Sequence, residues 1–98
     1  TAQNAYAAAG FPDEWRHHHQ GGSTGYVGRE VRATPGNATE VLSNQAFAWN
    51  PSITGTKSED TILATEQGPV ILSAPVDWPT VEVEAGGLRL RRADILVR

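Results

Sequence analysis

Residues 17–30 read HHHQGGSTGYVGRE, three consecutive histidines running into a glycine-rich stretch. Imidazole nitrogens bind metals and carry protons near neutral pH. Clustered glycines let a backbone turn sharply or approach a partner closely. The other residues able to do chemistry lie far along the chain, at Asn50-Pro51 and at the acidic pair Glu59-Asp60. Each also has an ordinary reading. His17 and His18 suit alternating loop or strand positions, and Gly21, Gly22, Gly25 and Gly28 suit turns and bulges. No helix is expected after those glycines, which argues against a phosphate loop. Arg29-Glu30 reads either as a surface pair or, through Arg29, as a binder of a substrate carboxylate. Asn37-Ala38-Thr39 is a short sequon of the kind that arises by chance, and no nucleophile-elbow motif supports a Ser-His-Asp triad.

The whole chain sets limits on these readings. Its 98 residues suffice for one domain with a modest core. A net charge of -3 gives no basic footprint for nucleic acid, and no apolar run approaches the ~18 residues that suggest a membrane span. The absence of cysteine removes disulfides and thiolate metal sites but does not identify a compartment. A cytoplasmic location is the expectation. The chain starts at Thr1 and contains no methionine, so a fragment of something longer is expected.

The elements that must position these residues follow from local pattern. TAQNAYAAAGFP reads as a short helix or the end of one: alanine favours helix, Gly10 suits the left-handed cap, and Pro12 stops continuation. From Glu14 onward helical periodicity disappears and strands and turns take over. A tight turn at Thr54-Gly55 pairs Ile53 with Thr56 and, further out, Asn50 with Glu59. In SEDTILATEQGPVIL, Glu59, Thr61, Leu63 and Thr65 share one strand face, with Asp60, Ile62 and Ala64 on the other. A turn at Glu66-Gln67-Gly68 leads to the next strand. The last hairpin, VEVEAGGLRLRR, is the clearest. Gly86-Gly87 forms its turn, placing Val83 opposite Leu90, Glu84 opposite Arg89 and Glu82 opposite Arg91. The expected fold class is α+β, mainly antiparallel sheet with one short N-terminal helix.

The order AAGFPDEW, HHQGG, VLSNQAFAWNPSITG and KSEDTILATEQGPVILS resembles the C-terminal half of the pita-bread metallopeptidases. These comprise methionine aminopeptidase, prolidase, aminopeptidase P and the non-peptidase creatinase. Their pattern has GHGIG after a helix, a strand ending in EPG, and a strand of the form EDT-(I/V)-L-V-T-E-x-G. The likeness runs from about Tyr6 to Ser73, with 74–98 an additional β-hairpin, and EDTILATEQG is its most specific part.

In that family two divalent metals (Mn, Co or Zn) are held by two aspartates, one histidine and two glutamates, and activate a water for attack on a peptide carbonyl. The resemblance makes His19 the candidate histidine ligand and Glu59 the candidate for the last glutamate. Asn50 stands in place of the other glutamate. Tyr26 takes the position of a substrate-contacting histidine, and Trp15 that of an earlier conserved one. Both aspartates fall upstream of this chain. Asn50 supplies one neutral amide oxygen where a carboxylate would bridge two cations.

The resemblance therefore implies the C-terminal part of a metallopeptidase-like hydrolase, similar to Xaa-Pro aminopeptidase or prolidase. Its metal site would be degraded, with no metal bound and no activity in the isolated chain. The alternatives are a non-catalytic relative and a small β-rich binding module. Expected partners are a second copy or the missing N-terminal half, with a peptide substrate if the parent is active, and neither nucleic acid nor membrane.

Overall fold

A computed structural model describes Thr1–Arg98. Helix α1 (Ala2–Ala8) ends in a Schellman turn: the Gly10 N–H donates to Ala7 O (3.1 Å) and the Phe11 N–H to Tyr6 O (2.9 Å), with Gly10 at φ 87°. A single 3-10 turn follows at Glu14–Arg16. Every later element is extended. Strands β1 (Gly21–Gly25), β2 (Gly28–Arg32), β3 (Ala46–Trp49), β6 (Asp60–Thr65) and β7 (Gly68–Ile71) make one sheet in the order β2-β1-β3-β6-β7, antiparallel throughout. The short strands β4 (Ser52–Ile53) and β5 (Thr56–Lys57) form the tip of the β3–β6 hairpin, and β8 (Thr80–Ala85) and β9 (Leu88–Ala93) form a separate hairpin. This is the expected α+β class, with one short helix and mainly antiparallel sheets. No helix is long and apolar enough to cross a membrane.

Both hairpins expected from sequence have the expected register. Ile53 pairs with Thr56 and Ser52 with Lys57, while Trp49 pairs with Asp60 and Ala48 with Thr61. The same pairing holds on both sides of a gap at 50–51 and 58–59, so Asn50 stands opposite Glu59. In the last hairpin Val83 faces Leu90, Glu84 faces Arg89 and Glu82 faces Arg91. The opposed charges there form no ion pairs. Arg91 Nε donates instead to Thr80 Oγ1 (2.8 Å), since exposed long side chains gain little by holding a pairing geometry.

Residues directly opposite in an antiparallel ladder share a face. One face of the main sheet therefore carries Val31, Phe47, Trp49 and Ile62, and Val41 from the 33–45 loop lies against that aromatic face. The other face carries Ala46, Ala48, Thr61 and Leu63, together with Arg29 and Arg32. The core is thin. Tyr6 and Ala48 are the only hydrophobic side chains in it, beside buried Gln20, Ser23 and Asp60.

Tyr6 is the anchor of α1. Its hydroxyl donates to Gln20 Oε1 (2.5 Å) and accepts from the Ser52 N–H (2.8 Å), while Gln20 Nε2 donates to Trp15 O (2.9 Å) and His18 O (2.6 Å). One buried polar hub thus ties the helix, the histidine segment and β4 together.

The C-terminal hairpin is tied down by one residue. Arg92 pairs with the buried Asp60 carboxylate and donates to Ser58 Oγ (2.6 Å), and Ser73 Oγ donates to Asp60 Oδ1 (2.9 Å). No other side-chain hydrogen bond or ion pair joins residues 74–98 to the rest.

Candidate functional site

The HHQGG segment enters β1, the Asn50-Pro51 segment leaves β3, and Glu59 leads into β6. These strands are neighbours in the sheet. The β1–β3 ladder pairs Gly21 with Trp49, and one step further the Asn50 N–H donates to Gln20 O (2.8 Å). Gln20, Asn50 and Glu59 therefore form one row across three strands, with His19 the next residue along the chain from Gln20.

Close approach of the backbones at this point depends on the glycines. Gly22 sits at φ 150°, and a Cβ there would come within 1.9 Å of Val31 O. Only glycine fits between the two neighbouring strands at this position.

The side chains of the row do not close into a contact. Glu59 is exposed and pairs with Lys57 Nζ at 2.5 Å, not with Asn50. Asn50 Oδ1 is buried and has no partner. Hydrogen bonding between the Asn50 amide and Glu59, one arrangement open to a cross-strand pair, is not formed, because Lys57 two residues away supplies a full positive charge. His19 is exposed. Its pKa lies below the ordinary histidine value, first from lost solvation and then from the positive charges of Arg29, Arg32 and His18.

His18 is held more firmly. Nδ1 lies against His19 O and Nε2 against Ser52 Oγ. Its role here is to brace the loop ahead of β1.

The structure does not bring the other two candidates to the row. Tyr26 is fully exposed in the β1–β2 turn. It lies six residues along the strand from Gln20, roughly 20 Å at the usual rise per residue. Arg29 is half-buried on β2, where its Nη1 donates to Gly22 O (3.1 Å) and Ala48 O (2.9 Å) while its Nε is buried without a partner. It lies on the same face as Ala48, in the row of Thr24 and Ala46, four residues along β3 from Asn50.

No group of three or more His, Asp or Glu side chains in this chain is arranged to hold a metal ion. A stable site of the zinc or manganese type needs three or four such donors.

Two residues with structural work in this region were not singled out by sequence. Gln20 is the buried hub between His19 and Gly21, and its one sequence signal was a polar side chain enclosed by histidines and glycines. Asp60 is the buried acid, and its signal was period-two alternation, which turns it away from Glu59. Set against known proteins, the chain matches no family model, no curated protein and no solved structure.

Proposed function

We propose that this chain is the C-terminal part of a metallopeptidase-like hydrolase, of the Xaa-Pro aminopeptidase or prolidase kind, in which the metal site has been dismantled. The observation that carries this reading is the row Gln20–Asn50–Glu59. Three separated segments that resemble the family's ligand segments meet at the same end of three adjacent strands, the first contributing Gln20 to the row and the candidate ligand His19 one residue outside it. Asn50 brings a neutral amide to the position where a carboxylate would bridge cations, and Lys57 occupies the carboxylate of Glu59. His19 and Glu59 are then remnants of a ligand set, and the chain alone binds no divalent metal tightly.

The non-catalytic alternative draws on the same two facts, a neutral residue 50 and a neutralised Glu59. Under either reading the thin core and the uncovered edges β2 and β7 suit completion by a second copy or by an upstream half. Such association would appear as concentration-dependent sedimentation, and a strictly monomeric chain at high concentration would contradict it.

Incubation of the chain with X-Pro dipeptides and Mn²⁺, Co²⁺ or Zn²⁺ tests the dismantled site. The expected result is no metal-dependent turnover above blank. Robust turnover abolished by His19→Ala would contradict it.

A further inference from the structure

We propose that the face of the sheet bearing Arg29 and Arg32 binds a small oxyanion, of the carboxylate or phosphate type. The two arginines are three residues apart, so in an unbroken strand they would point to opposite faces. They do not, because the β1–β2 ladder carries a bulge. Ser23 pairs with Val31 and Thr24 with Arg29, leaving Glu30 as the extra residue. Arg32 then lies opposite Gly22 and Arg29 opposite Thr24, alternate positions of β1 and hence one face. Bulges of this kind re-aim side chains, and they concentrate near functional sites.

The row beneath Arg29 is built of small residues, of which Gly22 and Ala48 are buried. Gly22 has no side chain, and Ala48 and Thr61 continue the same row with small ones. Arg29 reaches back over this row and is fixed there by its Nη1 bonds to Gly22 O and Ala48 O. Its second terminal nitrogen carries no bond within the chain, and its Nε is a buried donor left unpaired. Arg32 is exposed, and the whole fork of its guanidinium is available. Such a fork matches two oxygens of a carboxylate or phosphate.

Neither Arg29 nor Arg32 has an ion-pair partner or an acid opposite it, whereas the unpaired Arg89 and Arg91 lie opposite Glu84 and Glu82. The chain has 11 acidic against 8 basic residues, yet its ion pairs are Arg16–Asp13, Lys57–Glu59 and Arg92–Asp60. The nearest acid in sequence, Glu30, is turned aside by the bulge. Its carboxylate fills the space beside Gly25, 2.2 Å from where a Cβ would stand. Two arginines held on one face, over small residues and without an acid, form a receptor for an anion from outside. This inference needs no metal and does not depend on the hydrolase reading.

The test is an amide NMR titration of the chain with sodium phosphate and, separately, sodium succinate, with total ionic strength held constant by NaCl. Saturable shifts centred on Gly22 and residues 29–32 are expected with at least one of the two. The tighter binder shows whether the site takes a tetrahedral or a planar oxyanion. Arg32→Gln, at an exposed position, should weaken that binding about tenfold, the loss expected for a charge-assisted hydrogen bond, whereas Arg91→Gln on the distant hairpin should leave it unchanged. Arg29→Gln also removes two bonds to the sheet, so Arg32→Gln is the deciding variant. Linear, non-saturating shifts with both anions would overturn the proposal, as would wild-type affinity in Arg32→Gln.

Discussion

Asn50 stands directly opposite Glu59 across the β3–β6 hairpin, yet the carboxylate turns to Lys57 and the amide oxygen is buried without a partner. The register on either side of this pair is continuous, so the two positions are neighbours by backbone geometry whatever their side chains do. That separation of backbone placement from side-chain chemistry runs through the whole candidate site. Under the proposed function, the backbone rows would converge the ligand segments, and position 50 carries an amide where a ligand carboxylate would stand.

Tyr6→Phe tests the hub that holds the frame. The change leaves the ring in place but removes the partner of the buried Gln20 Oε1 and of the part-buried Ser52 N–H. Two orphaned groups should cost about 1–3 kcal/mol of stability, measured as a lower urea midpoint. An unchanged midpoint would mean that water replaces the hydroxyl at no cost.

Arg92→Gln tests the attachment of the C-terminal hairpin. A two-stranded hairpin is at best marginal alone, and Arg92 is its only polar tie to the main sheet. Hydrogen exchange should accelerate across residues 80–93 while β1, β3 and β6 keep their protection. Global loss of about 1–3 kcal/mol is expected as well, since the buried Asp60 loses its counter-ion. Unchanged exchange in the hairpin would show that its apolar contacts suffice.

The sign of the pH dependence at His19 follows from its lowered pKa. The unfolded chain binds the proton more readily than the folded one, so stability rises with pH through this group. The contribution is complete above the unfolded value of 6.5 and is lost as pH falls towards the lower folded value. A ring-proton NMR titration should give a His19 midpoint below 6.5. Arg29→Gln should move that midpoint upward by removing one of the nearby positive charges. A midpoint at or above 6.5 in the wild type would contradict the placement of His19 beside these arginines.

The hairpins were legible in the sequence because their turns are short. A two-residue turn at Thr54-Gly55 or Gly86-Gly87 fixes the register outward from itself, and alternation of apolar and polar residues confirms it. The strand order β2-β1-β3-β6-β7 was not legible, since β1 meets β3 only across the long 33–45 loop. Nor was the bulge at Glu30, because it depends on how β1 and β2 share their glycines. Within the site, the opposition of positions 50 and 59 came from turn arithmetic, whereas the capture of Glu59 by Lys57 came from side-chain conformation. Asp60 escaped notice for a related reason. Its partner Arg92 lies 32 residues away in sequence, and no local pattern connects them.

The most direct measurement of the central claim is Mn²⁺ relaxation enhancement in Asn50→Glu, recorded beside the wild-type chain. A second carboxylate at position 50 would face Glu59 with Cβ atoms ~4.5–5.5 Å apart, close enough for one cation to bridge both. The variant should bind Mn²⁺ weakly but more tightly than the wild type. Line broadening should be centred at once on residues 19–20, 50 and 59, and be lost on adding Glu59→Gln, with hydrolysis of X-Pro dipeptides still absent. If Mn²⁺ broadens the two proteins alike, or broadens the variant away from that row, the dismantled metal site is contradicted.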